Sequence, residues 1–370
     1  MGSNISLYYL CLQATRQGQA SYSHVHEIIL GLQSRGVEAR LFEPRHEKSA
    51  CKTNFFARLL GFVNTQCKLI FSNTPEVIYI RWHFATIFVA LWAKLRNVPV
   101  IQEVNGPYED LFLSYSWTKK IQGFFIFIMR RQLKWADAVI VVTPLLAEWA
   151  IKESKHRKVY IISNGANTSI FDHKASFLGE FCLPDRYVIF FGALSVWQGV
   201  DVMLDAFRSN QWPKDIALVI VGDGVESQKV NEAACSSRFL YHFESVEQRV
   251  LAGIVRNSLC ALSPQVGHRC STGLFPLKLF ESLACSVPVI VSDWPGMADF
   301  VREHQCGIVV PPGDPEALAQ AVAQLASDPD RAREMGKRGA EEVHRKHSWD
   351  AKAEETLQVI YSIISDKDRA

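Results

Sequence analysis

The feature that most constrains this chain is a rhythm. Short runs of apolar, often β-branched residues alternate with amphipathic segments of helical period. ISLYYLCL (5–12), VEARLF (37–42), EVIYI (76–80), VPVIQEV (98–104), DAVIVV (137–142) and KVYIIS (158–163) read as strands. Helical patterns lie between most of them, the first being SYSHVHEIILGLQSRG (21–36), which ends on a glycine stop. Alternation of this kind predicts a parallel sheet with helices on both faces. The rhythm then restarts with RYVIFFGAL (186–194), IALVIVGDG (216–224), SLCALSP (258–264), VPVIVSD (287–293) and GIVVPPG (307–313). At 370 residues the chain is too long for one ordinary core. The fold class expected is α/β, with two doubly wound, Rossmann-like domains at 1–167 and 186–350 facing across a cleft. The polar run after Asn164-Gly165 supplies a linker, set at 168–185.

Composition narrows the setting. No stretch approaches a membrane-spanning length, and no secretory signal is visible. The nine cysteines form no CxxC pair and no repeated spacing, which fits small buried hydrophobes in a reducing, cytoplasmic compartment. No metal site is expected. The net charge of +2 hides an asymmetry of +9 over residues 1–165 and −7 over 166–370. A basic first half points either to an anionic partner such as a phosphate-bearing lipid or a membrane face, or to an accident of surface composition.

In doubly wound sheets ligands collect beyond the carboxyl ends of the strands. Gly18, after the first strand, opens either an anion-holding loop or an ordinary strand–helix turn. His24 and His26, two apart on the next helix, read as surface histidines. Arg81 and His83 follow the third strand; Glu103, Asn105 and Gly106 close the fourth. His83 titrates near neutrality if unperturbed, and both a loop role and a direct role fit it. No P-loop, HExxH or complete GxGxxG occurs, which removes most support for hydrolase, protease and hydride-transfer readings. In FPLKLFESLACSVPVIVSD (275–293), Lys278 and Glu281 share one face of a helix start, either as a surface ion pair or as part of a site.

Two segments combine cations with aromatics. SWTKKIQGFFIFIMRRQLKW (116–135), read as one helix, places Lys119, Lys120, Arg130, Arg131 and Lys134 within an arc of roughly 120°. Upstream, Lys48, Lys52, Arg58 and Lys68 interleave with Phe55, Phe56, Leu59, Leu60 and Phe62. Residues 48–71 and 116–135 therefore suit either peripheral binding to an anionic membrane or a solvated cationic face.

FFGALSVWQGVDVMLDAF, VIVGDG and GLFPLKLFESLACSVPVIVSD, with QEVNGP, ADAVIVVTPLLAEWA, ISNGANTSIF and VVPPGDPEALAQAVAQLASDP, resemble in order the nucleotide-sugar-dependent glycosyltransferases of family 4, of GT-B architecture. The resemblance implies a UDP- or GDP-linked sugar held mainly by the second domain and an acceptor held mainly by the first. It also implies a C-terminal helix (351–370) crossing back, transfer with retention of configuration, and neither cofactor nor metal. Glu281 matches the family's second motif glutamate, expected on the ribose hydroxyls. The first would fall at Gly273. The family's basic pair on the diphosphate falls at Ala193 and Gln198, so both cations are missing, and Lys278, or more weakly Arg269, is the replacement expected. Asn105 stands where many relatives carry a catalytic histidine, and can hydrogen-bond but not act as a base.

The expected site therefore comprises Asn105, Lys278 and Glu281 for catalysis. Gly18, Gly192, Ser195, Gln198, Gly222, Arg269, Gly273, Leu274, Phe275 and Leu277 join Lys278 and Glu281 around the donor. Arg81, His83 and Glu103 lie on the acceptor side. The function expected is transfer of a sugar to a glycan or lipid-linked acceptor in bacterial surface polysaccharide or glycolipid synthesis, at the inner membrane face. The alternatives are a catalytically inactive nucleotide-binding or partner protein of the same shape and, with less support, a sugar-nucleotide epimerase.

Overall fold

The structure, a computed structural model, describes residues 5–13, 15, 19–44, 55–155, 157–176, 182–267 and 273–368. Gly18, Arg269 and the first part of the basic segment at 48–71 lie outside the described residues. The chain divides into two compact units, one of residues 1–16, 24–163 and 352–370, the other of residues 17–23 and 164–351.

The first unit is built on six parallel strands. They are β1 (Ser6–Leu10), β2 (Glu38–Phe42), β3 (Val77–Arg81), β4 (Val100–Val104), β5 (Ala138–Val141) and β6 (Val159–Ile161), in the order β2-β1-β3-β4-β5-β6. The chain leaves β1 for β2 on one side and returns to β3 on the other. Its crossovers diverge there, opening a crevice at the carboxyl ends of β1 and β3. The helices are α1 (Ala20–Gln33), α2 (Phe55–Ile70), α3 (Ile87–Leu95), α4 (Tyr108–Ser114), α5 (Gln122–Trp135) and α6 (Pro144–Ser154). The single helix expected over 116–135 is broken. Ser116–Ile121 forms a tight 3-10 turn, and Ile121 leaves helical geometry at φ −129°, ψ 36° before α5 begins. Lys119 and Lys120 therefore do not share a helix with Arg130, Arg131 and Lys134.

The terminal helix, Trp349–Asp368, completes this unit. It buries Ala353, Leu357, Ile360 and Ile363. Glu354 pairs with Arg35 at 2.8 Å, and Asp366 with Lys158 at 2.8 Å.

The second unit repeats the plan with β7 (Tyr187–Phe191), β8 (Ala217–Val221), β9 (Leu240–Phe243), β10 (Ala261–Ser263), β11 (Val289–Ser292) and β12 (Gly307–Val310), ordered β12-β11-β10-β7-β8-β9. β9 is the strand the apolar runs did not predict. It lies at the sheet edge, where only Leu240 is fully buried and Tyr241, His242 and Phe243 stay partly exposed. Its helices are α7 (Val200–Arg208), α8 (Ser227–Cys235), α9 (Gln248–Arg256), α10 (Leu277–Ala284), α11 (Met297–His304), α12 (Pro315–Ser327) and α13 (Pro329–Lys346).

Side chains of β7 alternate between two cores, as strand geometry requires. Tyr187, Ile189 and Phe191 join one, and Val188 and Phe190 the other. Phe171, inside the stretch read as linker, is buried in the first of these cores. Asp314 and Asp328 cap α12 and α13, accepting from Ala317 N at 2.9 Å and Arg331 N at 3.0 Å, each followed by the proline that favours a helix start. Cys11, Cys260, Cys285 and Cys306 are buried free thiols, whereas Cys182 and Cys235 are exposed.

Candidate active site

In the second unit the carboxyl end of β7 runs into a tight loop. Gly192 takes φ +114°, and Gly199 closes the loop at φ +77°. A Cβ added at Gly199 would collide with the Pro264 carbonyl; one at Gly222 would strike the Gly192 carbonyl. Gly222, at φ +143°, thus brings the loop after β8 against the loop after β7. His242 Nε2 lies 2.9 Å from the Gly222 oxygen, linking the edge strand to the same turn.

Lys278 occupies the first turn of α10, yet it is only 8 % exposed. Its Nζ donates to Gln198 Oε1 at 2.8 Å and sits 3.7 Å from the centroid of the Phe190 ring. A Cβ built on Gly192 would stand 3.7 Å from the same ammonium. The helix thus carries a cation to the backbone of the glycine loop, whose residues Gly192 and Ala193 are exposed. Burial pulls the Lys278 pKa down to about 7, against the opposing pull of the Glu281 carboxylate. Near neutral pH this ammonium changes charge readily, and an anion at Gly192 would restore the proton. Gln265, fully buried after β10, points its amide toward Gln198 Oε1 at 3.5 Å. The Ser195 hydroxyl is buried with no hydrogen-bond partner among the described residues.

The approach to α10 is fixed by backbone. Gly273 takes φ +85°, so a glutamate there would be strained. Leu274 N donates to Pro295 O at 2.9 Å, and Asn164 Nδ2 donates to Phe275 O at 2.6 Å. Leu277 is buried, and Glu281 lies one turn along, half-buried.

In the first unit the crevice beside β1 and β3 holds a buried carboxylate. Glu103, 1 % exposed, accepts from Tyr9 Oη at 2.8 Å, Arg81 Nη1 at 2.7 Å and Asn105 Nδ2 at 2.5 Å. His24 Nε2 stands 3.1 Å from its Oε2. Burial pushes the carboxyl up, but the His24 and Arg81 charges and the bonds from His24 and Asn105 outweigh it, holding it well below the usual range. A carboxylate is an acceptor only, so the Asn105 NH₂ must face Glu103 and its carbonyl oxygen must face away.

The sequence-expected residues fall into distinct groups. Gly192, Gln198 and Lys278 come together, with Gly222 supporting the loop, while Leu274 and Phe275 set the path into α10. Glu103 has its oxygens taken up internally, where it holds Arg81 and Asn105. His83 stands at the start of a short 3-10 helix. Its Nδ1 accepts from Ala85 N at 3.3 Å at a helix start, and burial lowers its pKa to about 4, so it stays neutral at pH 7. His24 is no surface histidine but is buried on Glu103. Phe190, Gln265, Tyr9 and His24 were missed. Gln265 follows a strand and was open to the rule that exposed Arg81; the others depend on packing across the sheet.

Residues 23–170 match the model of the family described as Glycosyltransferase Family 4, and residues 185–328 that of Glycosyl transferases group 1. A phosphatidyl-myo-inositol mannosyltransferase of Mycobacterium leprae is 25 % identical over 358 residues, covering 93 % of each chain. Among solved structures, sucrose-phosphate synthase from Thermosynechococcus elongatus superposes with a TM-score of 0.80 at 19 % identity, covering 98 % of this chain and 100 % of that one. HepE of Anabaena, in complex with UDP-glucose, gives 0.71 at 12 % identity, covering 97 % and 100 %.

Proposed function

The chain belongs to the family 4 glycosyltransferases, of GT-B architecture, and on that premise we propose that it moves a sugar from a nucleoside-diphosphate sugar to a glycan or lipid-linked acceptor, with retention of anomeric configuration. The observation that carries the donor assignment is the Lys278 ammonium, buried at Gln198 and set against the backbone of Gly192. It supplies the cation that Ala193 and Gln198 do not. In our reading the diphosphate lies over Gly192 with Lys278 as its counter-charge, and Glu281 accepts hydrogen bonds from the ribose hydroxyls. The UDP-glucose bound by HepE and the lipid in the mycobacterial relative's name favour a nucleotide sugar and a lipid-linked acceptor.

The step proposed is a substitution at the anomeric carbon. The bond from that carbon to the β-phosphate oxygen breaks as the acceptor oxygen bonds to it on the same face. The acceptor proton passes to the departing diphosphate, so no protein base is required. The Asn105 carbonyl, turned outward by Glu103, accepts a hydrogen bond from a hydroxyl of the acceptor. Lys278 then stabilises the charge that grows on the leaving group, which is where a preorganised cation contributes most. We place the reaction on the cytoplasmic side of a bacterial membrane, in surface polysaccharide or glycolipid synthesis, without a metal ion.

Titration calorimetry with UDP and GDP, followed by transfer and donor-hydrolysis assays over a panel of UDP- and GDP-sugars, tests this. One nucleoside diphosphate should bind and its sugar should turn over in the presence of a chelator. Absence of binding to either nucleotide, with no turnover on the panel, would overturn the donor assignment and favour an inactive partner protein.

A further inference from the structure

We propose that a cavity walled by α11, β12 and α13 is a second anion site, built for the phosphate monoester of a small organic molecule. The three elements pack against one another at the edge of the second sheet. Val301 of α11 and Met335 of α13, both buried, form its apolar lining, and Gly307 opens β12 beside them. Arg302, Arg331 and Arg338 supply the polar lining, and no acidic side chain joins them. β12 stands three strands from β7 in the sheet order. Gly307 also begins its strand, whereas Gly192 follows the end of β7. The cavity is therefore distinct from the nucleotide site proposed at Lys278.

Three guanidiniums around one cavity repel one another unless an anion stands between them. Elsewhere on α13 cations have acids beside them: Asp330 pairs with Arg333, and Glu334 with Lys337. On the cavity side, the Arg331 guanidinium makes no hydrogen bond or ion pair among the described residues. Arg338 donates through Nε and Nη2 to the Gln305 carbonyl at 3.1 and 2.9 Å. That neutral acceptor fixes the guanidinium without cancelling its charge. Gln305 presents the carbonyl there because it ends α11 in the left-handed region, at φ +48°. Arg302 donates to Asp293 at 2.6 Å through Nη2, which leaves its other donors available. Residues 166–370 carry a net charge of −7, so general basicity does not account for the cluster. A carboxylate offers two oxygens, whereas a phosphate monoester offers three and a charge of about −2, enough for a bond from each guanidinium. The cavity holds about 300 Å³, about ten times the share of one water in the liquid. Inorganic phosphate would leave most of it empty, while Val301 and Met335 suit a carbon skeleton.

Titration calorimetry of the full chain at low salt, with a hexose 6-phosphate, the unphosphorylated hexose and inorganic phosphate, tests this. The ester should bind more tightly than phosphate, and the free hexose should not bind. Arg331→Gln should weaken the ester at least about tenfold, the loss of one charge-assisted bond. It should do so without lowering the melting temperature, since Arg331 has no partner to lose. Lys278→Met should leave the ester's affinity unchanged, so failure here and failure of the nucleotide assignment read out separately. No binding of the ester, or equal affinity for ester and phosphate, overturns the proposal. So does binding that survives Arg331→Gln or disappears in Lys278→Met. Binding to vesicles containing phosphatidic acid, with none to the soluble ester, also overturns it by placing the phosphate on a lipid. Arg338→Gln should weaken the ester as Arg331→Gln does; if loss of its bonds to Gln305 unfolds the chain, Arg331→Gln alone decides the claim.

Discussion

Lys278 is a lysine whose burial works against its charge, and that makes it measurable. Its folded pKa of about 7 lies below the ordinary 10.5. Between these values the unfolded chain holds the proton and the folded chain does not, so stability should rise with pH across that window. In Lys278→Met the rise should disappear, as urea midpoints at pH 7 and 9 would show. Nucleotide binding runs the other way. It needs the ammonium, so affinity should fall as pH climbs above about 7, with proton uptake visible as a buffer-dependent binding heat. Loss of one charge-assisted bond should weaken UDP or GDP by about 1.5–3 kcal/mol, roughly ten- to a hundredfold. An unchanged affinity in Lys278→Met would remove Lys278 from the phosphate site. Glu103 makes the opposite case, a buried anion fully supplied with donors. Glu103→Ala strands Arg81 and should cost on the order of 3–5 kcal/mol in denaturant unfolding. Lys278 and Glu281 stood out in the sequence because charges in an apolar helix need a reason. His24 did not, because its partner lies 79 positions away and only the β1–α1 crossover brings the two together.

At the scale of elements, β7, β8, β10 and β11 were legible because each is a continuous buried run; the edge strand β12, buried only at Val310, was legible from its apolar GIVV run alone. β9 was not, because an edge strand exposing Tyr241, His242 and Phe243 needs no such run. The helix start of α5 was misplaced for a related reason: period alone cannot show where Ile121 leaves helical geometry. The loop between β7 and α7 depends on glycine in a way the sequence hinted at but could not fix. Gly199→Ala combines φ +77° with a collision at the Pro264 carbonyl, and Gln198 is its neighbour. Such a change should lower stability by about 1–3 kcal/mol and weaken nucleotide binding with it. Calorimetry of this variant with and without nucleotide would separate the two effects. Full retention of affinity would show that the loop's shape does not set the position of Gln198.

For the molecule as a whole, the two-series rhythm was enough to announce two parallel α/β units, since nothing else buries so many short apolar runs. The place of the segment read as linker was not readable, because Phe171 looks like part of a polar run until its core is known. The first unit takes residues 24–163 and then 352–370. Ending the chain at Ala351 would strip the first unit of the buried Leu357, Ile360 and Ile363 and of the partners of Arg35 and Lys158. At about 1.5–3 kcal/mol for each large buried side chain, loss of that helix should leave the first unit unfolded or protease-sensitive while the second survives limited proteolysis. Equal resistance of both units in the shortened chain would show the helix to be dispensable. The same allocation orders events during synthesis. Residues 164–351 leave the ribosome as an almost continuous block able to close its own core, while the first unit waits for residues 352–370. The earlier-made half is therefore the later-finished one, and for that interval its sheet lacks part of its cover and depends on chaperones or on speed.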